Sequence, residues 1–211
     1  MNRLTPHASR LSGQCASRLK ETARRAVFLD RDGTINEEKE YLHRVEDFEF
    51  IPGASEAIRR LKEAGFLVVV VTNQSGVARG YYALEEVAIL HRHMQRELET
   101  VGAAVDGIYV CPHHPVEGVG EFRRECDCRK GRPGMLLRAA REHGIDLSRS
   151  YMIGDKIADV EVGEAAGCLP LMVLTGYGRT ESAKISPDRV LRFADLAEAT
   201  DFILVRNPAG A

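Results

Sequence analysis

Phe28-Leu29-Asp30-Arg31-Asp32-Gly33-Thr34 places two carboxylates two positions apart, directly behind a short apolar run. On such a turn one carboxylate can attack an electrophile while the other moves the proton, and Gly33 lets the backbone bend sharply behind them. An acidic surface turn is the plainer reading, but the apolar run, the second Asp and Thr34 favour chemistry. A second group of reactive side chains lies further along. Cys111 is followed by His113 and His114, and Cys126 by Cys128. Side chains two apart on an extended segment face the same way, so the two pairs can close a tetrahedral Cys₃His site for Zn²⁺. Four protein ligands leave no open position, which makes such an ion structural; His113 and His114 compete for the fourth place. Free thiols beside surface histidines are the alternative. The odd total of five cysteines argues against a disulfide framework.

Both groups need a scaffold. Apolar, β-branched runs recur at Ala26–Asp30, Phe66–Thr72, Gly107–Cys111, Ser150–Asp155 and Leu169–Leu174. Unbroken apolar runs of this length suit strands covered on both faces. Helical patterns lie between them: Ala54–Ala64 with Ala57, Ile58 and Leu61 on one face, and Leu84–Val101 ending at Gly102. A third helix opens at Pro133 and stops at Gly144, and a fourth, Ile157–Ala166, stops at Gly167. This alternation predicts an α/β fold, a doubly wound parallel sheet with helices on both faces. Ligands sit beyond the carboxyl ends of such strands, so Asp30, Asp32, Thr72, Asn73 and Asp155 are expected to converge, with the Cys/His loop leaving the strand that ends at Cys111. His91 and His93, inside the long helix, read as surface residues.

Composition bounds the alternatives. The chain has 211 residues, 44% hydrophobic and 28% charged, with a formal net charge of −2. That is enough for one well-cored domain and ordinary for a globular protein. No basic field or aromatic platform advertises nucleic acid, and no apolar run approaches a bilayer span. Residues 1–25 hold six Lys or Arg and a single acid, Glu21, and read as a loose tail before a domain over 26–205, with 206–211 as a short terminal tail. The expectation is a cytoplasmic monomer that touches neither membrane nor nucleic acid.

Asp30-Arg-Asp32-Gly-Thr34 resembles the signature of the haloacid dehalogenase-like phosphohydrolases. Three further motifs follow in the order of that superfamily: Val71-Thr72-Asn73-Gln74-Ser75, the basic Lys130, and Gly154-Asp155-Lys156-Ile-Ala-Asp159. The resemblance covers residues 26–175. Longer strings, Thr72-Asn-Gln-Ser-Gly-Val-Ala-Arg79-Gly80, Cys111-Pro-His-His-Pro115 and Cys126-Asp-Cys-Arg-Lys130, are similar to the D,D-heptose 1,7-bisphosphate phosphatases and, next, to the histidinol-phosphate phosphatases.

The resemblance implies a Rossmann-like fold with a small cap or none, and a set of roles. Asp30 would be the nucleophile and Asp32 the general acid and base. Mg²⁺ would be held by Asp30, Asp155 and the backbone carbonyl of Asp32, while Thr72 and Lys130 stabilise charge on the transferring oxygens. The Cys-x-His pattern selects His113, giving Cys111, His113, Cys126 and Cys128 as zinc ligands that fix Arg129 and Lys130 over a phosphate. Asn73, Gln74, Ser75, Arg129 and Lys156 fall among the implied substrate contacts, with Lys156 alternatively facing solvent. The chain reads Glu38-Lys39-Glu40-Tyr41 where the family more often has Gly before Tyr, which keeps Tyr41 as a contact and gives no role to the other three. Asp159 has two open roles, orienting Lys130 or a water, or complementing a helix dipole. The implied substrate is a small phosphorylated sugar, D-glycero-D-manno-heptose 1,7-bisphosphate, losing its 7-phosphate; histidinol phosphate is the rival. A non-catalytic zinc-loop module would require a broken motif, and all four are present.

Overall fold

Six strands of the computed structural model, which describes residues 23–208, form a single sheet. They are β1 (Ala26–Leu29), β2 (Leu67–Asn73), β3 (Gly107–Cys111), β4 (Tyr151–Gly154), β5 (Leu169–Val173) and β6 (Leu191–Phe193). Their order is β3-β2-β1-β4-β5-β6, and every neighbouring pair is parallel. The helices are α1 (Ala54–Glu63), α2 (Ser75–Ala78), α3 (Leu84–Thr100), α4 (Gly134–His143), α5 (Ile157–Ala166), α6 (Gly178–Ser182) and α7 (Leu196–Arg206).

Successive strand side chains point to opposite faces, and here both faces are covered. Val27, Leu29, Val68, Val70 and Ile153 pack with Ile58 and Leu61 of α1, Leu90 and Met94 of α3 and Ile203 of α7. Ala26, Phe28, Val69, Val71 and Met152 pack on the other side with Leu136 and Ala139 of α4 and Val162 of α5. This is why the central strands are apolar at every position instead of alternating.

From β1 the chain builds outward through β2 to β3, then crosses back to β4 on the other side of β1 and continues to β6. The direction reverses between β1 and β4, so the crevice characteristic of such sheets opens at their carboxyl ends. Beyond Leu174 the structure adds α6, β6 and α7, of which only α7 carries an apolar run, Phe202–Val205. β6 is only three residues long and half-covered at best, while α7 is opened by the Asp195 carboxylate, which accepts from Glu198 N–H at 2.9 Å.

Arg24 and Arg25 are tied to the fold. The Arg24 N–H donates to the Gly144 carbonyl at 2.9 Å and Arg25 Nη1 to Asn207 Oδ1 at 3.1 Å. The reading of the preceding basic stretch as a loose tail lies outside the described residues. Among those described, no helix is long and apolar enough to cross a membrane.

Candidate active site

Asp30 is the first residue past β1, and its N–H still donates to the Ile153 carbonyl of β4 at 2.9 Å. The sheet therefore fixes the backbone of this buried carboxylate. Its Oδ1 accepts from Arg31 N–H at 2.7 Å and is ion-paired with Lys130 Nζ at 2.6 Å. Lys130 Nζ also stands 2.8 Å from Asp159 Oδ1, an ion pair rather than an aligned hydrogen bond. Burial opposes the charge on Lys130, but Asp159 and Asp30 outweigh it and hold the ammonium above its ordinary range. The Lys130 N–H donates to Asn73 Oδ1 at 3.0 Å, so the last residue of β2 anchors the loop that delivers this cation.

Asp155, at the end of β4, is fully buried. Its Oδ2 accepts from Tyr177 N–H at 2.8 Å, whereas its Oδ1 has no partner. Burial, with the Asp30 charge beside it, pushes its carboxyl up to about 8. A side chain on Gly33 would place its Cβ 2.3 Å from Asp155 Oδ2, and φ there is +79°, so only glycine fits. Carboxylate oxygens of Asp30, Asp155 and Asp159 lie within 4.8 Å of one another. Burial pushes Asp159 up to about 6 against the pull of Lys130. Asp159 makes contacts suited to both of its expected roles: one oxygen pairs with Lys130, and the other accepts from Lys156 N–H at 3.0 Å at the head of α5. An orphaned carboxylate oxygen among crowded acids is the environment a hard divalent cation relieves, and an all-oxygen donor set suits Mg²⁺. The residues fit the ion.

Asp32 sits on the next turn and faces the cleft. Its Oδ1 accepts from Arg31 Nε at 3.0 Å, Arg31 Nη2 at 2.8 Å and Asn36 Nδ2 at 3.0 Å. Its Oδ2 accepts from Arg31 Nη2 at 2.8 Å and Gln74 Nε2 at 3.0 Å. Burial works against ionisation of Asp32, yet Arg31, Asn36 and Gln74 together hold its carboxyl below the usual range. Gln74 Nε2 also donates to the buried Thr72 hydroxyl at 2.9 Å, and Gln74 Oε1 accepts from Tyr82 at 2.9 Å.

Sequence reasoning missed Arg31 and His91. Arg31 is completely buried, and His91 is 7% exposed. The surface reading of His91 is thus corrected: α3 packs over the turn after β1, and His91 Nε2 stands 3.0 Å from Arg31 Nη1. Burial, reinforced by the Arg31 charge, pushes the imidazole down to about 3. His93 is half-buried with its ring edge against Phe48.

The cleft beside these groups has a volume of about 300 Å³, and Tyr41, Asn73, Gln74, Ser75 and Lys156 border it together with Asp32. Lys156 Nζ pairs with Glu38 at 2.9 Å and lies 4.7 Å from the centre of the Tyr177 ring, so it turns inward. Glu38 and Glu40 also line the cleft, against the expectation that gave them no role; Lys39 turns away to Glu49 at 3.0 Å. Glu40 and Tyr41 both adopt left-handed backbone, with φ of 41° and 55°. Arg129 is not brought to this cleft. Its Nη1 donates to the His113 carbonyl at 3.0 Å, and it borders a separate basic pocket with Arg124, Lys130 and Arg132.

The second cluster closes as the spacing suggested. Cys128 Sγ lies 3.3 Å from Cys111 Sγ and 3.2 Å from Cys126 Sγ, and Cys111 and Cys126 are 3.6 Å apart. His113 Nδ1 is 3.3 Å from Cys128 Sγ and 3.8 Å from Cys111 Sγ. Zn–S bonds of about 2.3 Å imply tetrahedron edges of roughly 3.8 Å, so these atoms can hold one such ion after slight expansion. His114 does not compete, because its Nδ1 accepts from the Val116 and Glu117 amides within its own turn. Arg124 Nη2 stands 2.7 Å from His113 Nε2; an ion on Nδ1 would put the ring proton on Nε2 and displace this arginine.

The HAD-hydrolase-like family model matches residues 127–199. A D-glycero-β-D-manno-heptose-1,7-bisphosphate 7-phosphatase of Yersinia pestis is 47% identical over 176 residues, covering 82% of this chain and 94% of its own. The protein of the same name from Escherichia coli strain K12 is 48% identical over 176 residues, 82% of this chain and 92% of its own. The crystal structure of D,D-heptose 1,7-bisphosphate phosphatase from B. bronchiseptica, complexed with magnesium and phosphate, matches with a TM-score of 0.78 at 35% identity, covering 86% of this chain and 99% of that one.

Proposed function

The chain belongs to the HAD-like family of D-glycero-β-D-manno-heptose-1,7-bisphosphate 7-phosphatases, and on that premise we propose that it is a Mg²⁺-dependent phosphatase that converts D-glycero-D-manno-heptose 1,7-bisphosphate to the 1-phosphate. One observation carries the reading: a buried carboxylate, Asp30, paired with Lys130 at 2.6 Å, stands beside Asp32 at the carboxyl end of β1. Asp30 attacks phosphorus, and the bond to the sugar oxygen breaks as an aspartyl-phosphate forms. Asp32 gives its proton to the departing oxygen, then takes one from the water that hydrolyses the intermediate. The donors around Asp32 favour its carboxylate, so the base form is the resting one and a proton is taken up with the substrate before the acid half. Lys130 and the Thr72 hydroxyl hold the transferring oxygens.

Mg²⁺ held by Asp30, Asp155 and the Asp32 carbonyl would supply the positive charge that lets a phosphate dianion approach three carboxylates. Zn²⁺ on Cys111, His113, Cys126 and Cys128 would staple the loop that carries Arg129 and Lys130. Tyr41, Ser75 and Lys156 are assigned to the sugar and its phosphate, and Arg129 to the second phosphate through the neighbouring basic pocket. Asn73 and Gln74 act chiefly by holding Lys130 and Asp32. The test compares phosphate release from heptose 1,7-bisphosphate, histidinol phosphate and an aryl phosphate, with and without Mg²⁺. The heptose bisphosphate should give by far the highest kcat/KM, and only with Mg²⁺. A higher value for histidinol phosphate would replace the substrate; no release from any of the three would reject a phosphatase.

A further inference from the structure

We propose that His91, on α3, is a positioning residue that aims Asp32 at the leaving-group oxygen by fixing the tilt of Arg31. The inference rests on the phosphatase reading, in which Asp32 is the general acid and base. Arg31 is completely buried, and its donors are divided among three elements. Nε and Nη2 grip both oxygens of Asp32, Nη2 reaches the Leu42 carbonyl at 3.1 Å, and Nη1 meets His91 Nε2 at 3.0 Å. A guanidinium only donates, so Nε2 is the acceptor and the imidazole proton resides on Nδ1. The fork is planar and rigid, and holding Nη1 at one corner therefore sets the edge offered to the carboxylate at the other.

His91 does not border the cleft, so whatever it contributes passes through Arg31. Without it, Nη1 is a buried charged donor with no partner in a place water does not reach, a costly state that the guanidinium relieves by turning. Asn36 and Gln74 each give Asp32 one donor, whereas Arg31 grips both of its oxygens and alone among these three is tied to His91. A turn of the fork thus moves the acid while leaving Asp30, Lys130 and Asp155 in place.

The consequence depends on the leaving group. A sugar alkoxide needs the proton from Asp32 as its bond breaks, whereas an aryl oxide leaves without it. The experiment measures KM and the single-turnover rate of the first, phosphoryl-transfer step of the full-length protein with Mg²⁺ on heptose 1,7-bisphosphate and on 4-nitrophenyl phosphate. For His91→Leu, the rate of phosphoryl transfer from the sugar phosphate should fall about 10- to 100-fold, with KM and the burst of 4-nitrophenolate little changed, while the later hydrolysis, which also calls on Asp32, slows equally for both substrates. His91→Gln keeps an acceptor for Nη1 and should recover most of the loss. Equal losses in that first step on both substrates would mark His91 as merely structural, and an unchanged first step on the sugar phosphate would remove it from the mechanism; either result overturns the proposal. If the Leu variant does not fold, Arg31→Lys, which keeps the charge but not the fork, must show the same split between substrates. A wild-type protein inactive on both substrates would reject the phosphatase reading itself, a result distinct from a wild type active on both whose variants show no split.

Discussion

Asp30 and Asp32 are separated by one residue, yet their surroundings differ: Asp30 shares Lys130 with Asp159, and Asp32 is saturated by neutral amides and one guanidinium. On the proposed mechanism Asp30→Asn removes the nucleophile and a metal ligand, so turnover should vanish with every substrate. Asp32→Asn leaves its backbone carbonyl in place and removes only proton transfer, a loss of about 10²–10⁴-fold. Steady-state assays should find residual turnover in the second variant alone, with a phosphorylated Asp30 trapped by mass spectrometry. Comparable residual activity in both would refute covalent catalysis by Asp30. The gathering of Asp30, Asp32 and Asp155 at strand ends, and of the Cys/His pairs in one loop, was legible from spacing behind apolar runs, whereas the preference for His113 over His114 came from the family resemblance. Arg31 and His91 were not legible. An arginine between two acids gives no sign that it is buried, and the register that sets His91 over it belongs to the docking of α3.

At the scale of elements, two loops do what the sheet cannot. The segment through Glu40 and Tyr41 places consecutive non-glycine residues in left-handed backbone. A Cβ there costs about 1–2 kcal/mol, while glycine gives back about 0.5–1 kcal/mol through its freer unfolded chain. Glu40→Gly should therefore gain roughly 0.5–1 kcal/mol in denaturant unfolding, and Glu40→Ala, which keeps the Cβ, should gain nothing. The Cys/His loop is the other case. Protein purified without chelators should contain one zinc per chain by elemental analysis. Cys126→Ser should lower activity by about tenfold or more through Lys130, with Mg²⁺ affinity little altered. Absence of zinc in the wild type would sink the assignment. The first five strands and the four long helices between them were readable because their apolar runs are buried against the sheet's covered faces; β6 was not, since a three-residue strand with Leu191 at 47% exposure carries no apolar signature.

At the scale of the whole molecule, two buried acids couple stability to pH. An ordinary aspartate ionises near 3.8, but in the folded chain Asp155 does so near about 8 and Asp159 near about 6. Between those values the folded protein retains protons that the unfolded chain has released, so stability falls as pH rises through that window. Above pH 6.5 the buried neutral His91 no longer opposes this trend, so thermal unfolding of metal-free protein should show a lower Tm at pH 8 than at pH 7, and Mg²⁺ should raise Tm more at pH 8. Asp155→Asn should flatten both dependences; a Tm independent of pH in the metal-free wild type would contradict the argument. The order of strands adds a kinetic consequence. Asp30 trails β1, while Asp155 and Asp159 arrive only when β4 pairs with it, Leu29 opposite Ile153. In the extended chain these acids are far apart, so their repulsion is met late, when the second half of the sheet closes on the first. Such distant closures already limit folding speed. Mg²⁺ should therefore hasten refolding of the chain in stopped-flow measurements, acting as a counterion that lowers the barrier to joining the two halves.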